Sequence, residues 1–287
     1  MRAVRPIAEA AELVKFVHTA FALPFALIAA LAAARGLPRW PVVGWILLAM
    51  VGARTAAMAF NRLADHAIDA ANPRTADRAL ASGRLPRSFA WALVAGGCAA
   101  LLLAAWRLNP LCLALSPLAL AWVLGYSYSK RFTTLSHLWL GLGLGIAPVG
   151  AWLAVRGAFG VPPFVLALAV TAWVAGFDVL YSLQDERFDR ERGLRSLPAR
   201  LGAGRAIGVS RLLHAVAAAG FAAFAALVGA GWGLWLGVAA ACVLLLWQHS
   251  LVAPGRLERL DTAFFTANGI LSVLMFALYL LDMIVRA

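Results

Sequence analysis

The chain of 287 residues is 63% hydrophobic and only 13% charged, with a mean hydropathy of +0.83. A soluble domain has to cover itself with polar groups, so this composition excludes one. The net charge of +12 is dealt out by loop and not gathered on one face, which excludes a nucleic-acid binder.

Apolar runs of transmembrane length recur from end to end. They predict nine spans, at 14–34, 41–60, 89–106, 110–128, 136–155, 162–182, 206–228, 232–250 and 262–284. The two-residue alternation of a membrane barrel is not seen, so the predicted class is an all-α membrane protein forming one domain over 1–287. The first run carries His18 and Pro24 and has no small-residue cleavage site before further spans follow, which reads as a span and not as a cleaved signal peptide. With nine spans, the N-terminus and the even-numbered connections share a side. That side holds 17 of the 25 basic residues, against five (Arg35, Arg39, Arg107, Arg156 and Arg286) on the other, while Lys15, Arg54 and Arg211 fall inside spans. The imbalance predicts a cytoplasmic N-terminus and cytoplasmic even loops. Cys98, Cys112 and Cys242 lie singly within spans, without metal spacing or a disulfide framework. The histidines (His18, His66, His137, His214 and His249) read as helix-packing or loop residues.

Eight of the 13 acidic residues fall in two places, in connections 61–88 and 183–205 together with the helix end before the second. The first reads NRLADHAIDAANPRTADR from Asn61, the second DVLYSLQDERFDRERGLRSLPARLG from Asp178. Each places a polar residue and two aspartates at i, i+4 and i+8: Asn61, Asp65 and Asp69, then Tyr181, Asp185 and Asp189. A basic residue beside a hydroxyl follows, Arg74-Thr75 or Arg195-Ser196, and then Arg78 or Arg200. Four-residue spacing stacks side chains on one helix face, so each loop is a carboxylate ladder rising from a span. One reading is a solvated loop whose acids pair with nearby arginines. The other, favoured because the pattern occurs twice on the same predicted side, is a Mg²⁺–diphosphate site. Hard oxygen ligands suit Mg²⁺, and arginines suit phosphate. Arg54 stands seven residues before Asn61 and Asp178 seven before Asp185, so both continue these faces into the bilayer, either as structural ion pairs or as the lining of a pocket. Tyr126, Lys130 and Arg131, at the end of the fourth span, add cations on the same predicted side.

At these residues the sequence resembles the UbiA superfamily of intramembrane prenyltransferases over nearly its whole length. NRLADHAIDAANPRTADR is similar to the family's first Asp-rich motif and DVLYSLQDERFD to its second. KFVHTAFALPFAL from Lys15 and YSYSKRFTTLSHLWLG from Tyr126 are similar to its first- and fourth-helix signatures. Arg62 departs from the pattern, since many members carry a second acid after the asparagine. The resemblance implies nine helices around a central cavity and Mg²⁺-dependent transfer of a polyprenyl chain from a polyprenyl diphosphate to an aromatic acid. The closest branches are those acting on 4-hydroxybenzoate, for ubiquinone, or on a dihydroxynaphthoate, for menaquinone. It implies Asn61, Asp65, Asp69, Asp185 and Asp189 as catalytic metal ligands. Arg74, Arg78, Lys130, Arg131 and Arg195 would bind diphosphate, and Lys15, Arg54, Asp178, Tyr126 and Tyr181 would line the acceptor pocket. The place implied is a bacterial inner membrane. Prenyl transfer to a haem or chlorophyll precursor is the enzymatic alternative. An ion or lipid transporter is the non-enzymatic one, disfavoured because both ladders lie at span ends and not at mid-bilayer.

Overall fold

The computed structural model describes residues 19–286. Among them the helices in chain order are α1 (Thr19–Ala34), α2 (Trp40–Ala64), α3 (His66–Ala71), α4 (Arg87–Leu108), α5 (Pro110–Phe132), α6 (Ser136–Arg156) and α7 (Val161–Tyr181). After a 3₁₀ turn (Ser182–Asp185) come α8 (Glu186–Glu191), α9 (Leu197–Leu201), α10 (Ala203–Leu227), α11 (Trp232–Ser250), a π-helical turn (Thr262–Thr266) and α12 (Ala267–Arg286). Eight of these stretches are apolar helices long enough to cross a membrane, and α1 supplies the described part of the first predicted span. The start of that span, with Lys15 and His18, lies outside the described residues. The other predicted spans agree with helices to within a few residues. The main differences are at α2 and α5, which run on to Ala64 and Phe132, past the ends read from hydropathy. Backbone hydrogen bonding needs no lipid, so a helix outlasts its apolar stretch. Asn61, Lys130 and Arg131 therefore sit on rigid helix and not in loop.

The described chain divides into two compact units, 41–128 and 20–40 with 129–286. In the first, α2 and α4 touch backbone to backbone at two glycines. A Cβ on Gly52 would lie 2.7 Å from the Gly97 carbonyl, and one on Gly97 would lie 2.6 Å from that of Gly52. No residue with a side chain fits such a crossing. The segment after α3 is folded down by its apolar residues: Ala79 and Leu85 are buried with Ala59 of α2 and Val94 of α4. α5 opens on Asn109, whose Oδ1 accepts from the Cys112 amide at 2.9 Å, with Pro110 at the first helical position.

In the second unit α7 is the buried centre, packed by α6 on one side and α10 on another. The α6–α7 seam is cut by Gly141 and Gly145, one helical turn apart. A Cβ on Gly145 would meet Thr171 Oγ1 at 2.6 Å and the Ala167 carbonyl at 2.8 Å, and one on Gly141 would run into the Thr171 carbonyl. Phe21 and Phe25 of α1 pack on Trp173 of α7. The Trp173 indole N–H donates to Asn268 Oδ1 at 2.8 Å, so the polar residue that weakens the last apolar run is a buried partner and not a gap in the span. His214 and His249, which read as separate packing residues, hydrogen-bond to each other at 2.9 Å.

Candidate active site

The first ladder begins on the last turn of α2. Asn61 Nδ2 donates to Asp65 Oδ2 at 3.0 Å, locking the first two rungs together. Asp65 lies between α2 and α3 with φ −95° and ψ 10°, the bridge region of backbone space, where active-site residues recur. Helical bonding survives the break, because Asp65 N–H bonds to Asn61 O at 2.9 Å and Asp69 N–H to Asp65 O at 2.7 Å. Asp69, only 6% exposed, pairs with Arg78 at 2.7 Å and with Arg62 at 3.7 Å. The Thr75 hydroxyl donates to the Asp69 carbonyl at 3.0 Å, tying the arginine-bearing segment back to the ladder. Arg74 is exposed, and its amide closes a turn on Asn72 Oδ1.

The second ladder repeats this local design. α7 ends at Tyr181, the chain tightens into the 3₁₀ turn, and Asp185 sits before α8 with φ −99° and ψ 1°. Both ladders thus put their first aspartate in the same backbone conformation, ahead of a six-residue helix. One predicted feature changes: the faces of Tyr181, Asp185 and Asp189 are not carried by one continuous α-helix, because the 3₁₀ turn overwinds the chain between them. Asp189 is 3% exposed, and its Oδ2 has no hydrogen-bond donor among the described residues. Its carbonyl accepts from the Leu194 amide at 2.8 Å, the counterpart of Thr75 on Asp69. Glu186 and Glu191 behave as the solvated reading expects, pairing with exposed Arg190 and Arg187. Arg195 is held by main chain: its amide donates to the Lys130 carbonyl at 2.8 Å and its guanidinium to the Phe132 carbonyl at 2.7 Å. The structure therefore brings Lys130, on the last turn of α5, to Arg195, with Arg131 exposed beside them.

Among the acceptor-side residues, Arg54 is half-buried on the unbroken α2, seven residues and so about 10 Å deeper than Asn61. Tyr126 lies one turn before Lys130 on α5, and the Tyr181 ring lies 4.1 Å from that of Phe264. Asp178 has a partner that sequence reasoning missed: His137 Nδ1 at 2.6 Å. His137 is fully buried on α6, and its Nε2 is met by the Leu197 amide at 3.3 Å. The only signal in the sequence was a polar residue just inside an apolar run. Its partner lies 41 residues away, a pairing that no local pattern announces. Arg62 was likewise passed over as a departure from a motif, although it faces Asp69.

Residues 22–270 match the UbiA prenyltransferase family. The chain belongs to the UbiA family. It is 33% identical to a 4-hydroxybenzoate octaprenyltransferase from Alkalilimnicola ehrlichii, over 88% of this chain and 85% of the relative. Among solved structures it is similar to the apo form of a UbiA homologue from Aeropyrum pernix, at 38% identity with a TM-score of 0.86, covering 93% of this chain and 98% of that one. A UbiA homologue from Archaeoglobus fulgidus bound to DMAPP and Mg²⁺ shares the fold at 19% identity with a TM-score of 0.73, over 96% of this chain and 99% of the other. This UbiA chain is an integral membrane protein, with apolar helices throughout.

The donor set fits a divalent cation. Among the described residues no three His, Cys, Asp or Glu side chains form a closed metal cage. Mg²⁺ needs none, because it keeps several waters and is held by one or two carboxylates and phosphate oxygens. A buried carboxylate oxygen without a donor is costly alone, and a cation removes the cost. Asp189 Oδ2 meets that description.

Proposed function

We propose that the protein transfers a polyprenyl group from a polyprenyl diphosphate to an aromatic acid, with 4-hydroxybenzoate as the acceptor, and that residues 1–287 work as one catalytic domain with both Asp-rich loops on the cytoplasmic side of a bacterial inner membrane. The observation that carries the reading is the duplicated ladder, which ends in a buried carboxylate oxygen without a donor at Asp189. Family membership and the 4-hydroxybenzoate octaprenyltransferase relatives give the reaction class and the acceptor.

The residues that would hold Mg²⁺ with the donor's diphosphate are Asn61, Asp65, Asp69, Asp185 and Asp189. Bound there, the ion would neutralise charge on the departing diphosphate. Arg74, Arg78, Lys130, Arg131 and Arg195 supply hydrogen bonds and charge to the same oxygens as the allylic C–O bond breaks and its electron pair leaves with diphosphate. The phenol ring then forms the new C–C bond to the allylic carbon and loses its ring proton. Arg54 recognises the acceptor carboxylate through its two-pronged guanidinium, with Lys15 as a second cation, and Asp178 is the carboxylate that takes the proton. Tyr126 and Tyr181 bound the acceptor. The apolar helices keep water from the cation that forms.

The test is purified protein in lipid with Mg²⁺, octaprenyl diphosphate and a panel of aromatic acids, with products read by mass. Prenylated 4-hydroxybenzoate is expected. Product from a dihydroxynaphthoate alone moves the acceptor to the menaquinone type, and no product from any acid overturns the reading.

A further inference from the structure

The contacts of His137 assign its tautomer. The Leu197 N–H can only donate, so Nε2 of His137 accepts; the single proton of a neutral imidazole is then on Nδ1, pointing at Asp178 Oδ2 2.6 Å away. The two contacts come from different parts of the fold. Asp178 is on α7, three residues before its end, whereas Leu197 opens α9 within the 193–202 segment. That segment is also held by Arg195 on the carbonyls of Lys130 and Phe132, and by Leu194 on the carbonyl of Asp189. His137 is fully buried, Ser196 beside it is fully buried, and the Gly141–Gly145 seam begins one turn further along the same helix.

We propose that His137 is a positioning residue for Asp178: its neutral imidazole, fixed at Nε2 by the Leu197 amide, donates from Nδ1 to one carboxylate oxygen and leaves the other for the acceptor. The segment carrying Arg195 and the carboxylate on α7 are thereby joined through one side chain. An arrangement of this kind sets which way a carboxylate faces. The proposal rests on the acceptor-side role given to Asp178 above.

Two kinds of measurement test it. In protein carrying ¹⁵N-labelled histidine, His137 should show the Nδ1–H tautomer and the Leu197 amide should exchange slowly; an Nε2–H tautomer overturns the proposal whether or not the protein transfers prenyl groups. In the transfer assay, His137→Leu should lower kcat on the order of a hundredfold, the loss expected when a reacting group is misplaced by about 1 Å, and leave the donor KM unchanged. His137→Asn, whose amide N–H₂ takes the place of Nδ1–H, should recover most of that loss, whereas His137→Gln, which serves only the Leu197 side, should not. If the leucine variant does not fold, the contrast between asparagine and glutamine carries the test. In an Asp178→Asn background His137→Leu should add little further loss, because the two act as a unit. Equal loss in the asparagine and glutamine variants, or full additivity with Asp178→Asn, makes His137 a packing residue. If the wild type transfers nothing, the proposed reaction fails while the tautomer still decides the tether.

Discussion

Two of the buried aspartates of the ladders, Asp69 and Asp189, have opposite surroundings, and that separates their consequences. Asp69 is paired with Arg62 and Arg78, whereas Asp189 keeps a buried oxygen without a donor among the described residues. Asp69→Ala should therefore destabilise the protein, since it leaves buried arginine charge unpaired, by about 3–5 kcal/mol. Asp189→Asn should leave the thermal midpoint unchanged or higher without Mg²⁺, while abolishing both turnover and the upward shift that Mg²⁺ gives the wild type. Thermal unfolding in detergent with and without Mg²⁺, beside a turnover assay, reads both; an Asp189→Asn protein that still responds to Mg²⁺ would remove that residue from the metal site. The task proposed for Arg54 is different. Arg54→Lys keeps charge but loses the planar fork, so it should raise the acceptor KM and not the donor KM, by an amount corresponding to roughly 1.5–3 kcal/mol. Kinetics with each substrate varied in turn distinguishes the two, and a change confined to the donor KM would move Arg54 to the diphosphate side.

At the scale of elements, glycine seams decide how near two helices come. Gly141 has the Thr171 backbone pressed against it, so Gly141→Ala has no room and should cost about 1–3 kcal/mol through overpacking. His137 lies one turn before Gly141 and bonds across the same seam, so the substitution should also lower kcat more than either KM. Unchanged kcat with lowered stability would separate seam from site. Most elements were legible from the sequence because hydropathy reports burial in lipid over a full helix length. The ladders were legible because acids are rare in this chain and recur at four-residue spacing. The 3₁₀ turn at Ser182–Asp185 and the π-helical turn at Thr262–Thr266 were not, since their residues fit an α-helix equally well and only tertiary packing chooses. His137 and Arg62 were missed for a related reason: their partners are set by helix packing and loop folding, which one-dimensional spacing does not encode.

At the scale of the whole molecule, the charge asymmetry makes a topological prediction. Reporters fused after Arg84 and after Arg200 should both read cytoplasmic, and one fused after Arg156 should read external. Opposite readings for the first two would end the common role given to the two Asp-rich loops. Asp65 and Asp185 share a backbone conformation, and each precedes a helix of six residues, so one local design is written twice in a single chain. The molecule thus carries its own replicate. A substitution made at one copy and repeated at the other tests the same residue in the same local conformation, before a six-residue helix, against a different approach and different neighbours. The difference between the two outcomes then reports what the surroundings contribute, with no second protein required as a control.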